Sequence, residues 1–530
     1  MALSKPDCPL PASTFCDRGL GQLLVERLAC HPASVALRIP DGLSWTWAQL
    51  GAQAGAIQRG LDALGLKAGG HVALMADNSA RMAALLCAIT GFGAVVIPVN
   101  TALVGEGLAH VLNDSDARVL IADAAYLERC QQLDGLRPGA LQHRISTGES
   151  GAGDPWSRHF AQEGRLIARG KGADAALILY TSGTTGRSKG VIISHACALM
   201  AIEASASVMF EARQSDVLYT CLPLFHCAAQ RLGFWTSLRS GAALVLGASF
   251  SASGFWDQMR FFGVTKFHFI GPMLSILWKA PPGPRDRDHP ARRAVGGGPR
   301  LAYRPFEERF GLTAVESYGM TETFGGCVSH RAGEGKAGTV GRALDHVEIA
   351  VMDEAGMRLP PGMEGEVCIR PRYQDALFSA YYKRPDLTQS AMRDGWFRSG
   401  DLGTLDAEGY LTYRSRLKDI IRRRGENISP TEVEEAICRF PGVSECAVVG
   451  VAAEIGDDEV LAVVVPSGDA LDIERLVVYL SKQIAAFALP RFVALAPALP
   501  KTSTSRVQRH ELKTFMAQTV DTRPFLQRKS

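Results

Sequence analysis

Short apolar runs alternate with amphipathic runs through much of residues 1–400 of this chain. The runs His71–Met75, Ala94–Ile97 and Val119–Ala122 have the length and composition of short strands, and the segments between them have helical periodicity. This alternation is typical of an α/β fold. At 530 residues the chain also exceeds what one hydrophobic core usually serves, so at least two domains are expected.

The sequence pattern changes near Val347, after which strand-like runs are separated by turn residues. A charged, arginine-rich segment follows at 418–424, and a further unit of mixed helices and strands begins after it. Ser429, Pro430 and Glu432 have the spacing of a capping box, so Ser429 is predicted to cap a helix over 432–439, and a second helix is predicted over 473–486. The sequence therefore predicts a large N-terminal α/β domain with a β-rich lobe over residues 1–415. A small α+β C-terminal domain is predicted over residues 419–530, after a boundary near Arg416.

Composition and charge indicate an ordinary soluble globular protein. The formal net charge of +3 gives no electrostatic reason to expect nucleic acid as a partner. The twelve cysteines include no Cys-x-x-Cys pair, so the sequence indicates neither a zinc site nor a dithiol redox site. Reduced thiols are the simple interpretation, and they predict a cytoplasmic location.

One stretch, 82–99, is long and uncharged enough to suggest a membrane span. However, Gly91, Gly93 and Pro98 interrupt it, and its last residues have a strand pattern. A buried helix followed by a strand is therefore predicted here, and no membrane span.

The segment 180–191 follows the apolar run Ala175–Leu179 and combines glycines, hydroxyl side chains and two cations. Glycines let a backbone bring its amides close to a ligand, hydroxyls add donors, and Lys189 adds a compact positive charge. Together these residues predict a loop that wraps around phosphate oxygens, although the Walker spacing is absent. A flexible surface loop is the alternative.

Three later segments narrow the chemistry. The segment 318–323 pairs an aromatic ring with a carboxylate after a predicted strand, 396–403 places an aspartate in a tight turn, and 416–419 lies at the predicted domain boundary. In this order and combination, the four segments resemble the adenylate-forming superfamily. That superfamily includes acyl-CoA ligases, nonribosomal peptide adenylation domains and firefly luciferase.

The resemblance covers nearly the whole chain and implies a reaction in two steps. A carboxylic acid first attacks the α-phosphate of ATP to give an acyl-adenylate, and a thiol then displaces AMP. The resemblance also implies that the small C-terminal domain is mobile and rotates between the steps. The hinge is expected at 416–418, with Lys418 at the hinge position.

The resemblance assigns roles to individual positions. Glu322 matches a magnesium ligand, which suits Mg²⁺ as a hard oxygen donor, and Tyr318 matches the ring that stacks on adenine. Asp401 matches the acceptor for ribose hydroxyls, and Arg416 a donor to ribose or phosphate. The positions expected to contact ATP, AMP or acyl-AMP are Thr181, Ser182, Gly183, Thr184, Thr185, Lys189, Gly297, Gly298, Pro299, Tyr318, Gly319, Thr321, Asp401 and Arg416.

Within the superfamily, the acyl-CoA ligase branch fits best, because the segment 223–226, Pro-Leu-Phe-His, resembles that branch's segment beside the acyl pocket. His226 is expected at the gate between the pocket and the thiol, and a merely packed histidine is the alternative. Gln230 and Gly319 are expected in the pocket that holds the acyl group.

Coenzyme A is the simplest thiol acceptor, since the sequence contains no Leu-Gly-Gly-x-Ser signal for pantetheine attachment. Arg422, Arg424 and Gly425 are expected near coenzyme A, because arginine forks suit phosphate geometry. A solvated run of charges is the alternative for these arginines.

One position that the resemblance makes decisive is altered. The family typically carries a Gly-Lys pair near the C-terminus, whose lysine bridges the substrate carboxylate and the α-phosphate during adenylation. Here Ser505 and Arg506 stand in their place, and a wide guanidinium fork differs from a compact ammonium group. Adenylation is therefore expected to be impaired. The residues expected to act in catalysis are Thr184, His226, Glu322, Lys418 and Arg506.

The sequence hypothesis is an acyl-CoA ligase that accepts a preformed acyl-adenylate from a separate adenylating ligase and transfers its acyl group to coenzyme A. This resembles the division of labour in platensimycin-type antibiotic biosynthesis. A complete ATP-dependent ligase that tolerates arginine is an equal alternative, and a silent binder of nucleotide or acyl-adenylate is a third. A peptide-synthetase-type activator of amino acids is disfavoured, since that branch has an aspartate near the position of His226.

Overall fold

The computed structural model describes residues 15, 17–133, 135–137, 141–181, 187–297, 303–331, 334–423, 426–452, 458–468, 471–501 and 507–527. The chain divides into two compact units. The larger unit consists of residues up to 349 together with 369–397, and the smaller unit consists of 350–368 together with 398 onward. Both mix helices and strands, which confirms the predicted α/β class with a large N-terminal part and a smaller C-terminal part.

The described strands are β1 (Val35–Arg38), β2 (Ser44–Thr46), β3 (His71–Met75), β4 (Val95–Pro98), β5 (Val119–Ala122), β6 (His143–Ser146), β7 (Ala175–Thr181), β8 (Lys189–Ser194), β9 (Val217–Thr220), β10 (Ala243–Leu246), β11 (Lys266–Ile270), β12 (Arg293–Gly297), β13 (Thr313–Tyr318), β14 (Val328–Ser329), β15 (Arg342–Ala343), β16 (Val347–Met352), β17 (Glu364–Pro371), β18 (Ala380–Tyr381), β19 (Met392–Arg393), β20 (Trp396–Leu405), β21 (Leu411–Arg416), β22 (Ile421–Arg423), β23 (Glu426–Ile428), β24 (Val443–Ala452), β25 (Asp458–Pro466), β26 (Phe492–Leu495) and β27 (Val520–Asp521).

The described α-helices are α1 (Gly21–Cys30), α2 (Trp47–Ala63), α3 (Ala80–Phe92), α4 (Gly105–Asp114), α5 (Ala124–Gln131), α6 (Trp156–Phe160), α7 (His195–Ala204), α8 (Cys227–Ala229), α9 (Thr236–Ser240), α10 (Phe255–Phe262), α11 (Gly271–Lys279), α12 (Tyr303–Phe310), α13 (Pro385–Ala391), α14 (Pro430–Cys438), α15 (Ile473–Leu480) and α16 (Arg523–Gln527). Two π-helical turns span Ser205–Met209 and Gln230–Trp235, and 3₁₀ turns span Thr321–Thr323, Leu417–Asp419, Ala486–Ala488 and Arg509–Gln518.

A nine-stranded sheet runs in the order β15-β14-β13-β12-β11-β9-β10-β1-β2. The pairs from β13 to β1 are parallel, whereas β14, β15 and β2 add antiparallel edges. Aromatic side chains of β11, α10 and α12 fill the core against this sheet. Parallel strands that are buried on both faces have continuous apolar sequences rather than alternating ones.

A seven-stranded sheet runs in the order β18-β8-β7-β4-β3-β5-β6. Its α3 and β4 are the helix and strand predicted for the apolar stretch 82–99. Ser79 caps the start of α3 by accepting a hydrogen bond from the Met82 amide, and Gly93 ends the helix with a φ of 81°. No helix in the described part of the chain is both long enough and apolar enough to cross a membrane.

The β-rich region predicted after Val347 is a five-stranded sheet in the order β16-β17-β20-β19, with β21 paired to β20. The C-terminal strands form a separate sheet, β24-β25-β26-β27, on which α14 and α15 pack through apolar side chains. Two local predictions here were wrong. Ser429 does not cap α14, because its hydroxyl donates to the Arg414 carbonyl, and the helix expected over 473–486 ends at Leu480.

Candidate active site

Strands β7 and β8 form the antiparallel hairpin that carries the predicted phosphate loop. Thr181 ends β7 and lies directly opposite Lys189, the first residue of β8. This pairing holds the two ends of the predicted phosphate-binding segment side by side. The predicted contacts Ser182, Gly183, Thr184 and Thr185 lie outside the described residues.

Glu322 lies in a buried polar cluster next to Lys189. Its Oε1 accepts a hydrogen bond from Tyr381 Oη at 2.7 Å and lies 3.8 Å from Lys189 Nζ. The Lys189 Nζ also lies 3.7 Å from the centre of the Tyr381 ring, within cation–π distance. We call Lys189, Glu322 and Tyr381 the carboxylate cluster. It places one carboxylate and one ammonium group at the base of the predicted phosphate-binding hairpin.

The backbone after β13 explains how Glu322 reaches this position. Gly319 lets the chain pass so close to Gly326 that a Cβ on Gly319 would lie 2.4 Å from the Gly326 Cα. The 3₁₀ turn Thr321–Thr323 follows, and Phe324 then adopts left-handed backbone with a φ of 48°. Such backbone is uncommon for a residue other than glycine, so this tight turn is held by its surroundings.

Tyr381 is a site residue that the sequence did not predict. It lies in β18, which pairs antiparallel with β8 and sets Tyr381 opposite Val191, two residues from Lys189. Its only signal in the sequence is a pair of tyrosines ahead of a basic turn, far along the chain from the glycine-rich segment. The pairing of two distant strands therefore brings this phenol to the carboxylate.

Tyr318 and Gly297, both predicted to contact adenine, lie at the ends of neighbouring parallel strands, β13 and β12. A Cβ on Gly297 would lie 2.7 Å from the Ser317 carbonyl oxygen, so only glycine fits there without a shift. The carboxyl ends of neighbouring parallel strands are a common place for ligands in α/β sheets. The predicted contacts Gly298 and Pro299 lie outside the described residues.

His226 immediately precedes α8, and its ring lies against Phe225 with ring centres 4.6 Å apart. Burial lowers the pKa of His226 from 6.5 to about 4, so the imidazole is neutral at pH 7. Among the described residues, none forms a hydrogen bond with its buried Nε2. Buried polar atoms are usually satisfied, so this geometry favours a pocket position over simple packing.

Gln230 is fully buried and already hydrogen-bonded. Its Nε2 donates to the Leu224 carbonyl at 2.8 Å, and Trp235 Nε1 donates to its Oε1 at 3.4 Å. The amide therefore supports the backbone that carries His226. A direct contact between Gln230 and substrate stays a prediction.

Two contacts that the sequence did not predict join α8 and its π-helical continuation to the turn that carries Glu322. The Thr321 hydroxyl lies 3.9 Å from Cys227 Sγ, and Arg231 donates from Nη2 to the Gly325 carbonyl at 3.1 Å. Arg231 is fully buried, and burial lowers the pKa of its guanidinium to about 10. These contacts hold the predicted gate segment against the predicted metal-binding segment.

Asp401 and Arg416, predicted from two separate motifs, are direct neighbours in the smaller unit. They are register partners in the antiparallel pair of β20 and β21, and Asp401 Oδ1 lies 2.7 Å from Arg416 Nε. Asp401 is buried, with 2% of its surface exposed. Strand pairing thus unites the two residues expected at the ribose.

The remaining predicted residues of the smaller unit lie near the end of β21. Lys418 is exposed in the 3₁₀ turn that follows this strand, and Arg422 is exposed in β22. Arg424 and Gly425, predicted to lie near coenzyme A, are outside the described residues.

Ser505 and Arg506, the altered pair, also lie outside the described residues, in the segment 502–506. The ends of this segment are joined, because Lys501 and Val507 form an antiparallel bridge.

Both described cations that flank this segment are engaged by carboxylates. Lys501 Nζ lies 2.6 Å from Glu445 Oε2. Arg509 Nη1 lies 2.6 Å from Glu434 Oε1, and its Nε lies 3.7 Å from Asp419 Oδ2. Each of these two positive charges is therefore already paired with a carboxylate.

Glu322 is suited to be the one protein carboxylate that binds Mg²⁺ in a nucleotide site. Mg²⁺ is commonly bound by one or two carboxylates together with substrate phosphates, and it keeps several waters. Within the described ranges, no group of three or more His, Cys, Asp or Glu side chains could hold a metal ion by itself. A buried carboxylate at the base of the predicted phosphate-binding hairpin suits an ion that arrives with a nucleotide.

This chain belongs to the AMP-binding enzyme family. Residues 24–382 match that family, and residues 432–506 match the AMP-binding enzyme C-terminal domain. The membership confirms the resemblance to adenylate-forming enzymes on which the sequence predictions rested.

Its relatives with known activities include CoA ligases. The crotonobetaine/carnitine–CoA ligase of Salmonella typhimurium is 31% identical over 465 residues, which span 85% of this chain and 89% of that protein. The structure of ATP-bound MatB from Rhodopseudomonas palustris is 29% identical, with a TM-score of 0.84 over 94% of this chain and 98% of that one. The anthranilate CoA ligase AuaEII with anthranoyl-AMP shares the fold, with a TM-score of 0.87 at 24% identity over 95% and 98% of the two chains.

Proposed function

We propose that this protein is an acyl-CoA ligase that transfers an acyl group from acyl-AMP to coenzyme A and releases AMP, with an impaired adenylation step. The carboxylate cluster is the observation that supports the ligase assignment best. It joins Lys189 of the predicted phosphate hairpin to Glu322 of the predicted magnesium site through Tyr381. Membership of the AMP-binding enzyme family and the names of the relatives point to the same class.

In this proposal the carboxylate cluster handles the phosphates of the nucleotide. Glu322 would hold Mg²⁺, which supplies positive charge to the phosphate oxygens. Lys189 would leave Glu322 for a phosphate oxygen, because an ammonium group on a flexible stem can exchange one anion for another. Tyr381 donates to the Glu322 carboxylate and keeps it oriented through that exchange.

His226 would line the acyl pocket at its opening toward the thiol. Its imidazole is neutral near pH 7, so it can accept or donate a hydrogen bond without bringing a charge into the pocket. The contacts of Gln230 and Arg231 with neighbouring backbone carbonyls keep this segment in place.

Asp401 would accept hydrogen bonds from the ribose hydroxyls. Arg416 would hold the Asp401 carboxylate in place and donate a hydrogen bond to the ribose or a phosphate. We further propose that residues 416–418 form a hinge between an AMP-binding domain, 1–415, and a C-terminal domain, 419–530. The exposure of Lys418 suits a position whose backbone must turn. Arg422, Arg424 and Gly425 remain the proposed contacts for coenzyme A.

Arg506 is the basis for the impaired step. The two described cations beside it, Lys501 and Arg509, are engaged by Glu445 and Glu434, so neither replaces a lysine at position 506. Loss of one preorganised donor at developing charge costs about 3–4 kcal/mol, or roughly a hundredfold to a thousandfold in rate. A separate adenylating ligase would then supply the acyl-adenylate.

A complete ATP-dependent ligase is the second candidate, and one observation favours it. Lys189 and Glu322, whose expected task is to handle ATP phosphates and magnesium, are both present and in contact. A chain that never bound ATP would have no evident use for that arrangement.

Two assays on the purified protein separate the candidates. Pyrophosphate exchange with a panel of free acids reports adenylation, and thioester formation from a synthetic acyl-adenylate with coenzyme A reports the second step. We expect thioester formation with little exchange, and the Arg506→Lys variant should raise exchange about a hundredfold by restoring a compact charge.

Arg523→Lys serves as the matched control, because Arg523 is exposed and pairs with the half-buried Asp521. It should change neither assay. Strong exchange by the native protein would support the complete ligase. Tight adenylate binding with no thioester would support a silent binder.

A further inference from the structure

The smaller unit contains two thiols that the proposed reaction does not use. Cys438 ends α14, and Cys446 lies in β24, the strand against which α14 packs. Their Sγ atoms lie 3.4 Å apart, and neither cysteine is in a disulfide. The absence of a Cys-x-x-Cys pair led the sequence to indicate no dithiol site. The helix–turn–strand connection brings together two cysteines that are eight positions apart.

The two thiols have different surroundings. Cys438 is exposed to solvent, whereas Cys446 is half-buried. The Cys446 Sγ lies 3.3 Å from the Glu434 carbonyl oxygen, to which its S–H donates. Burial raises the pKa of the Cys446 thiol well above its usual value, so Cys446 stays protonated near neutral pH. An oxidant in solvent therefore reaches Cys438 first.

We propose that Cys438 and Cys446 are an oxidation site, at which a peroxide converts the two thiols into a reversible disulfide. The two sulfurs need only move from 3.4 Å to the bonding distance of about 2 Å. The proposal requires this movement to come from rotation of the two side chains, one at the end of a helix and one in the strand beside it.

The chemistry balances with hydrogen peroxide as the oxidant. The Cys438 thiolate attacks one peroxide oxygen, the O–O bond breaks, and the departing hydroxide takes up a proton to become water. Cys438 is then a sulfenic acid. The Cys446 sulfur attacks the sulfenic sulfur, the S–O bond breaks, and the hydroxyl leaves with the Cys446 proton as a second water. Two thiols are oxidised to one disulfide, and one peroxide is reduced to two waters.

Peptide mapping of the full-length protein tests this proposal directly. The folded protein is treated with stoichiometric hydrogen peroxide, blocked with an alkylating reagent and digested with trypsin. Arg439 separates the two cysteines, so they fall in the tryptic peptides 425–439 and 440–475, each of which contains one cysteine. We expect these peptides to appear as one linked species that has lost two hydrogens and that a dithiol reductant separates.

Three variants control for unspecific oxidation. Cys438→Ser should leave Cys446 as a thiol, because Cys446 then has no partner to attack. Cys446→Ser should leave Cys438 as a sulfenic acid that dimedone traps. Cys30→Ser removes another exposed thiol and should leave the linked species unchanged.

The proposal fails if folded protein yields no more of the linked species than urea-unfolded protein does. It also fails if Cys438 is oxidised to sulfinic acid in the native chain without being linked. Circular dichroism of each variant establishes that the folded state is being compared. None of these measurements depends on the enzymatic activity.

Discussion

Two regions of the protein support different steps of the proposed reaction. The carboxylate cluster of the larger unit favours nucleotide binding, whereas the sequence near residue 506 favours an impaired adenylation step. In the cluster, Lys189, Glu322 and Tyr381 lie within contact distance of one another, and each residue type suits a nucleotide site. At position 506 the chain has arginine where the resemblance predicts lysine, and the described cations on either side of that segment already have carboxylate partners. In the proposed reaction, the residues for nucleotide binding are present and in contact, whereas the residue proposed for the adenylation step has changed.

The largest effect should come from replacing the carboxylate itself. Glu322→Gln keeps the size of the side chain but removes the charge that would hold Mg²⁺. We expect magnesium-dependent binding of ATP, measured by calorimetry, to weaken about a hundredfold to a thousandfold. Thioester formation from a synthetic acyl-adenylate should stay near the native rate, since pyrophosphate has already left.

Equal losses in both measurements would contradict this division of roles and would make Glu322 a structural residue. Glu348→Gln is a suitable control, because Glu348 pairs with Arg370 in the larger unit, away from the cluster residues along the chain. It should change neither ATP binding nor thioester formation.

The next effect concerns the ribose pair of the smaller unit. Asp401→Asn removes the charge that Arg416 contacts at 2.7 Å. We expect the affinity for AMP to fall about tenfold to a hundredfold, because hydrogen bonds to a charged group contribute about 1.5–3 kcal/mol. Unlike Glu322→Gln, this variant should weaken binding of ATP and of acyl-adenylate alike, since both carry the same ribose.

Asp406→Asn is the control, because Asp406 lies in the turn between β20 and β21, where it accepts hydrogen bonds from the amides of Glu408 and Tyr410. It should leave AMP affinity unchanged. A drop in melting temperature for Asp401→Asn without loss of AMP affinity would assign the pair to stability alone.

The features that the sequence predicts are those with local signals. The unit of α3 and β4 follows from an apolar run bounded by Ser79, Gly93 and Pro98, which act locally, and β5 follows from an apolar run of its own. Motif residues such as Glu322 and Asp401 are predicted to act at the site because each lies in a short, recognisable pattern. Local signals of this kind are independent of the rest of the fold.

Residues that act through tertiary contacts could not be predicted in this way. Tyr381 reaches Glu322 only because β18 pairs with β8, and strand pairing between distant segments has no local signature. Cys438 and Cys446 meet through the packing of a helix on a strand. The helix α15 ends earlier than predicted. The Gln483 amide donates a hydrogen bond to the Leu480 carbonyl, three residues back, and so forms a tighter turn than an α-helix.

A smaller effect should separate the two contacts of Tyr381. Tyr381→Phe keeps the ring beside the Lys189 ammonium but removes the hydroxyl that donates to Glu322. We expect magnesium-dependent ATP binding to weaken about tenfold, the cost of one hydrogen bond to a charged group. Tyr381→Leu removes the ring as well and should weaken binding further.

An unchanged affinity in Tyr381→Phe would show that the phenol does not orient the carboxylate. Tyr382→Phe is the matched control, since the neighbouring Tyr382 hydroxyl donates to exposed Asp116 instead. It should behave like the native protein in the same titration.

The smallest effect is expected from the titration of His226. Its folded pKa of about 4 lies below the unfolded value of 6.5, so the stability contributed by the neutral buried ring is present above pH 6.5 and is lost as the pH falls toward 4.

Above pH 6.5 the His226 ring does not change charge in the folded protein. The ratio of thioester rates for the native protein and His226→Asn should therefore vary less than about twofold between pH 6.5 and about 8. The ratio cancels the titration of the coenzyme A thiol, which both enzymes share. A ratio that followed a midpoint near 6.5 would show that His226 titrates with an ordinary pKa and that its charge affects the reaction.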